Sequence, residues 1–375
     1  MKLARRALLL GLPAMGGPRL ALAAVPGDKR LVVVIQRGAM DGIAAVVPHG
    51  DPGYAALRGP PPDGLLDLDG FYGLHPALGG LHGLYRAREL LPVHAVAGPY
   101  RERSHFIAQD YLESGADRRL PSGWLNRAVG AMGAEAMAVG VSLPLLLRGD
   151  ASVGNWAPQG MAEPAPDLYA AIAALNRSDR ITGPAIVAGL KERGFSTRAL
   201  MDQAREPDRN TFPALAAAAG AMLRATDGPR IAAMEIGGWD THTAQAARIA
   251  GPLKQLDAGL VALKTALGPH WQQTIVLVMT EFGRTARVNG TGGTDHGTGG
   301  VAFVLGGAIV GGRVQADWPG LLPSKLFEDR DLAPTTDLRS VAKGILSAHL
   351  GLSAAALDRV FPGSDAAAPM HGLVG

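Results

Sequence analysis

Short runs of consecutive apolar residues, many of them β-branched, recur along the chain between longer segments whose apolar positions come three and four apart. The first pattern predicts strands buried on both faces of a parallel sheet, and the second predicts the helices that cover it. Four runs are clear: Leu31 to Gln36, Leu91 to Ala97, Arg230 to Ile236 and Thr274 to Met279. A further strand is predicted at Val301 to Leu305, a hairpin over Gly306 to Val314, and an alternating apolar run spans Ala138 to Leu147. Helices are predicted over Ile107 to Ser114, Ser122 to Met132, Phe212 to Ala225 and Thr243 to Leu267. A capped helix from Asp337 to Leu350 ends at Gly351. The expectation is an α/β domain with a mostly parallel sheet and helices on both faces.

Two regions break this rhythm. Pro48 to Gly80 is rich in Gly, Pro and Asp and reads as an irregular surface excursion, with His75 and His82 on the surface. Residues 149–229 read as helical segments divided by Pro and Gly, either an inserted helical cap over a pocket or the ordinary helical layer.

The clear strands end in residues that carry chemistry, and in open α/β sheets ligands bind beyond the carboxyl ends of strands. The first runs into Arg37-Gly-Ala-Met-Asp-Gly42, which leaves Asp41 as a turn residue or a metal ligand. The second leads to Arg101, Arg103 and Ser104 at the start of a helix. Ser104 is either a helix cap, or a nucleophile or anion contact backed by the helix dipole. The third delivers Asp240 and His242, whose spacing puts both side chains on one side of an extended loop and favours joint ligation.

The fourth runs into Thr280 to Gly300, where Glu281, Arg284, Asp295 and His296 share one loop with seven glycines. Such a loop turns tightly around something small. Oxygen and imidazole ligands without sulfur suit Zn²⁺, Mn²⁺ or Mg²⁺, one or two ions per site, and their natural reaction is hydrolysis of a phosphate or sulfate ester. Ser104, in preference to Thr285 or Thr298, is the candidate nucleophile. Arg284 is the candidate holder of the substrate's anionic oxygens.

Composition sharpens this picture. The chain of 375 residues, 47% hydrophobic and 18% charged, suffices for a large core, and it contains no cysteine, which excludes thiolate catalysis and thiolate metal sites. Residues 1–23 read as an export signal: Lys2, Arg5 and Arg6, then an apolar segment too short to span a bilayer, then Ala21-Leu-Ala23 as cleavage site. The Arg5-Arg6 pair points to the twin-arginine route and a periplasmic or extracellular protein, with residues 24–375 as a single domain. Losing the signal removes Lys2, Arg5, Arg6 and Arg19 and takes the formal charge from +3 to −1. The mature chain then has no basic patch that argues for nucleic acid, and no stable membrane insertion is expected.

The motifs Arg37-Gly-Ala-Met-Asp-Gly42, Arg103-Ser-His-Phe106, Gly237-Gly-Trp-Asp-Thr-His242, Thr280-Glu-Phe-Gly-Arg-Thr285 and Gly293-Thr-Asp-His-Gly-Thr-Gly-Gly300 resemble those of exported bacterial proteins grouped as domain of unknown function 1501. That family in turn resembles a distant branch of the alkaline phosphatase and sulfatase superfamily. The resemblance implies an alkaline-phosphatase-like three-layer sandwich, a metal cluster and a small anionic ester as substrate. It also implies Asp41 and Glu281 at one metal position and Asp240, His242 and His296 at the other, with Asp295, His105 and Arg103 in support. Where the superfamily has Asp-His after the strand, this chain has Glu281-Phe282. Glu281 then stands for an aspartate ligand, Phe282 packs, and one metal position is weakened. Two classes of function stay open: a metal-dependent hydrolase, or an exported binding protein that keeps the fold and at most one metal.

Overall fold

In the computed structural model, which describes residues 28–158 and 211–375, the apolar runs become one eight-stranded sheet. In chain order its strands are β1 (Arg30–Gln36), β2 (Leu90–Ala97), β3 (Ala136–Val139), β4 (Gly154–Trp156), β5 (Ile231–Ile236), β6 (Thr274–Thr280), β7 (Gly300–Leu305) and β8 (Thr336–Asp337). Across the sheet they lie in the order β8-β2-β7-β6-β1-β5-β3-β4. β1 runs parallel to both β5 and β6, with Val33 opposite Ala233 on one side and Leu277 on the other. β7 pairs antiparallel with β2 and β6, and the remaining pairs are parallel.

Two-sided burial explains the unbroken apolar runs. Alternate residues of β1 enter opposite cores, because successive side chains of a strand point to opposite faces. Val32 and Val34 meet helices α1 (Gly79–Arg86), α4 (Phe212–Arg224) and α5 (Ala250–Leu267). Leu31, Val33 and Ile35 meet α3 (Trp124–Met132), α6 (Leu338–Ala348) and α7 (Ala354–Val360). The predicted three-layer α/β fold is therefore observed. α2 (His105–Ser114) leaves the carboxyl end of β2, at the edge that carries the site.

Three local expectations changed. The helix expected from Thr243 is broken, because Ala244 adopts a left-handed φ of 47° while its own N–H and that of Gln245 donate to Thr291 and Gly292 carbonyls. The hairpin expected over Gly306 to Val314 is a series of turns, since the N–H groups of Gly311 and Gly312 go to the carbonyls of Arg88 and Leu90. The alternating run after Ala138 leaves the sheet at Val139, and Leu145–Leu147 forms a 3-10 turn. The excursion from Pro48 contains a helical turn, Tyr54–Arg58, and a small sheet that pairs Gly73–Leu74 with Val46–Val47 and Leu66–Asp67. The export signal and most of the expected helical cap lie outside the described residues. Among the described residues no helix is long and apolar enough to cross a membrane.

Two histidines lie inside this core. His94 on β2 donates through Nε2 to the Val46 carbonyl at 2.9 Å, and His349 donates through Nε2 to the Arg30 carbonyl at 3.0 Å. Burial pushes both down to about 4. An unfolded histidine titrates near 6.5, so the unfolded chain takes up the proton first. Stability is therefore full above about pH 6.5 and falls as pH drops toward 4, by roughly 3 kcal/mol per histidine. Melting temperature is expected to drop steeply over that window, and His349→Gln, which keeps an N–H donor, should reduce the drop. Equal drops in both proteins would contradict this.

Candidate metal centre

Three strands and one loop deliver the site. β5 ends before Asp240 and His242, β2 leads to His105 at the start of α2, and β6 runs into Glu281 and Arg284. After Arg284 the chain folds back on itself: Thr285 N–H donates to the Asp295 carbonyl at 2.9 Å, and Gly283 and Thr298 pair at 2.9 Å. This sets Asp295 and His296 against Arg284. Glycine is required for the approach, since a Cβ on Gly297 would lie 2.4 Å from the Arg284 backbone and one on Gly293 2.1 Å from that of His242.

Three imidazoles converge there, each held from behind. His105 Nδ1 lies 2.8 Å from Glu281 Oε1, His242 Nδ1 lies 3.0 Å from Asp295 Oδ1, and His296 Nδ1 lies 3.0 Å from the Arg103 carbonyl. A carboxylate or carbonyl oxygen can only accept, so Nδ1 carries a proton in all three rings, and Nε2 is the atom left to bind a cation when the ring is neutral. These nitrogens face one another. His296 Nε2 is 3.0 Å from both His105 Nε2 and His242 Nε2, and Asp240 Oδ1 lies 3.0 Å from His242 Nε2, 3.3 Å from His296 Nε2 and 3.7 Å from His105 Nε2.

Lone pairs at such separations repel unless a proton or a metal cation lies between them. Ligands about 2.0–2.1 Å from a tetrahedral Zn²⁺ stand about 3.3 Å from each other, close to the spacings among His105, His296 and Asp240. Carboxylates and carbonyls behind ligating imidazoles also fix the tautomer and raise ligand basicity, as metal sites require. His105, His296 and Asp240, with ligand atoms all within 4.8 Å of one another, thus fit one divalent ion, and His242 adjoins two of them.

The surroundings maintain this arrangement. Glu281 is buried and also accepts from Gly38 N–H at 2.8 Å and Gln109 Nε2 at 3.1 Å. Burial alone would raise its pKa, but the His105 bond and the other donors hold it below the usual carboxylate range. His105 is in turn raised, chiefly by its bond to Glu281, and burial lowers His296. Asp240 is held below its ordinary value against burial by the hydrogen bond and charge of Arg284, whose Nη1 donates to Oδ1 at 2.6 Å. Asn289 Nδ2 donates to Asp295 Oδ1 at 3.1 Å.

Arg103 has a left-handed φ of 62°, and its side chain reaches Asp331 at 2.8 Å and Glu328 at 2.5 Å. That clasp fixes the carbonyl facing His296. Phe282 packs, with its ring centroid 4.8 Å from that of His105 and 5.2 Å from that of His296.

Three expected roles take a different form. Asp41 is not brought into the cluster: Arg58 pairs with both its oxygens, at 2.7 and 3.2 Å, Gln245 donates to Oδ2, and Oδ1 caps a helical turn at Ala44 N–H. A guanidinium therefore supplies the positive charge that a second metal would bring. Glu281 stands behind His105 and orients it. Arg284 is fully buried, with Nη1 on Asp240 and Nε and Nη2 on Thr294, so its side chain is held inside the protein and not presented to a substrate. His105, expected only in support, enters the cluster directly; its signal in the sequence was its place at the same strand end as Ser104. Gln109, Asn289 and Arg58 carried no signal, because polar residues that serve other polar residues leave no spacing to read.

Ser104 sits at the N-cap of α2 in extended conformation, yet its side chain makes no capping hydrogen bond. Its hydroxyl therefore remains available beside His105.

Residues 75–361 match the family model described as "Protein of unknown function (DUF1501)". No protein with a curated description matches the chain. Among solved structures, a protein in the alkaline phosphatase superfamily from Vibrio parahaemolyticus is similar at 10% identity, with 86% of this chain and 66% of that chain covered and a TM-score of 0.39. The C-terminal periplasmic domain of EcEptC from Escherichia coli, in complex with Zn, is similar at 8% identity over 90% of this chain and 87% of that one, with a TM-score of 0.38. BT1596, a 2-O GAG sulfatase, is similar at 12% identity over 77% and 68%, with a TM-score of 0.33. These scores mark weak likenesses, and the chemistry of the site rests on the side chains described above.

Proposed function

The chain belongs to the DUF1501 family, and on that premise we propose that it is an exported hydrolase of phosphate or sulfate esters that uses one divalent metal ion, zinc best matching its donors. The observation that carries this reading is the convergence of His105, His296 and Asp240, whose ligand atoms all lie within 4.8 Å of one another, with His242 Nε2 3.0 Å from both His296 Nε2 and Asp240 Oδ1. Imidazole nitrogens favour zinc over magnesium, which takes oxygen ligands almost exclusively. His105, His296 and Asp240 would hold the ion, with His242 beside them. Bound there, it supplies a Lewis acid that polarises the ester and lowers the pKa of a nearby hydroxyl.

The protein's own residues do the rest. Ser104 Oγ, at the N-terminus of a ten-residue helix, attacks the phosphorus or sulfur atom as the ester bond to the leaving oxygen breaks. The hydroxyl proton passes to solvent, and the leaving oxygen takes a proton from water. A water then hydrolyses the seryl ester to free phosphate or sulfate and restore the serine. The N–H groups of the first turn of α2 face the anionic oxygens of the transferred group. Arg284 and Arg103 act through their partners: Arg284 holds Asp240 in place, and Arg103 fixes the tautomer of His296. The small anionic ester expected from the sequence remains the proposed substrate class.

The test is a screen of aryl phosphates, phosphodiesters and aryl sulfates on protein loaded with Zn²⁺ or Mn²⁺. Turnover of at least one class that EDTA abolishes and Zn²⁺ restores is expected. Absence of turnover in every class with a filled metal site would overturn the hydrolase reading in favour of a binding protein.

A further inference from the structure

A polar cavity of about 370 Å³ opens along α2, and none of the imidazole-cluster residues lines it. Gln109 joins the two: it lines the cavity and donates to Glu281 Oε1, the same oxygen that His105 Nδ1 faces. Any molecule whose ester group reached the cluster would therefore find the cavity within about one turn of α2, some 5 Å along the helix.

The walls carry Arg37, Asp110, Glu113, Arg119, Glu235 and Arg148. Each of these groups has a partner. Arg37 pairs with Glu113 at 2.7 Å and bonds Glu235 at 3.0 Å, Arg119 pairs with Asp110 at 2.6 Å, and Arg148 Nε donates to the Leu143 carbonyl at 3.0 Å. In such a wall each carboxylate lies against a guanidinium, with Arg37 shared between two. What it offers is a fixed lattice of planar donors and acceptors, which a ligand with several hydroxyl groups satisfies by donating and accepting at once. At the lip stands Phe106, 85% exposed, with Val141, 89% exposed, next to lining residue Ser142. Large apolar side chains this exposed are rare among the described residues, and Phe106 adds an aromatic face to an otherwise polar wall. The C–H face of a pyranose ring is the ligand surface that is flat, weakly apolar and edged with hydroxyls.

We infer that this cavity is a subsite for a neutral sugar unit, one or two pyranose rings, stacked on Phe106. The volume lies at the small end of the range for ligand pockets, about 300–1,000 Å³. That the sugar bears the ester cleaved at the imidazole cluster rests on the hydrolase reading; the sugar site itself does not.

The experiment is calorimetry and saturation-transfer NMR with four uncharged disaccharides, cellobiose, lactose, mannobiose and chitobiose. Each is titrated into the full chain in EDTA and again with Zn²⁺. At least one is expected to bind with a Kd below about 5 mM in both conditions. Phe106→Ala should weaken it about tenfold or more with metal content unchanged, and Phe106→Trp should retain it. Failure of all four to bind, or equal binding by Phe106→Ala, overturns the proposal. Failure of the hydrolase reading appears elsewhere, as absent turnover, and leaves the sugar titration intact.

Discussion

Ser104→Ala is expected to lower turnover of any ester substrate by about 10³-fold or more while folding and metal content stay close to those of the parent. The residue has the position of a helix cap, and an ordinary Ser cap replaced by Ala costs about 1 kcal/mol. Here the hydroxyl makes no capping bond, so the stability loss should be smaller than that. A nucleophile at the start of α2, next to His105, has an anion-binding helix terminus in front of the group it attacks. Turnover, melting temperature and zinc content measured on one preparation decide the matter. Retained turnover would mean that water attacks directly, and that Ser104 only begins a helix.

The second large effect is expected at Arg284, in stability and metal affinity together. A residue that only held substrate oxygens would lose activity on substitution and little else. Arg284 instead has a fully buried side chain, donates to Asp240 at 2.6 Å and bonds both the hydroxyl and the carbonyl of Thr294. Arg284→Met preserves most of the volume but leaves the Thr294 carbonyl without its donor and Asp240 without its anchor. Loss of a buried charged donor costs several kcal/mol in a closed interior; Asp240 is 45% exposed, so about 2 kcal/mol is expected. Zinc affinity should fall about 10- to 100-fold, as when other residues behind metal ligands are removed. Unchanged zinc affinity with lost turnover would return Arg284 to the substrate.

The sheet was legible because two-sided burial leaves unbroken apolar runs, and β1, β2, β5 and β6 appear within a residue or so of their expected limits. Strand direction was not legible: β7 runs against its neighbours, and nothing in Val301 to Leu305 encodes that. At the site, the rule that strand ends carry chemistry led to Asp240, His242, Glu281 and His296, all of which the fold brings to one edge. It also led to Asp41, where it misjudged the partner. A carboxylate at a strand end reads the same whether a metal or a guanidinium compensates it, and Arg58 comes from the Pro48 to Gly80 excursion, which has no motif. The division between ligands and the groups behind them was likewise invisible. Glu281 and His105 exchange their expected roles only because Glu281 is buried at the sheet edge while His105 projects from the helix above it.

The central claim is a single metal held by His105, His296 and Asp240. Its most direct measurement is the zinc content of the purified full chain and of His296→Ala, by elemental analysis after dialysis, with folding checked by circular dichroism. The account predicts about one equivalent per chain in the parent and a loss of most of it in the folded variant. Two equivalents would restore a second metal at Asp41, and an unchanged single equivalent in His296→Ala would contradict the site itself.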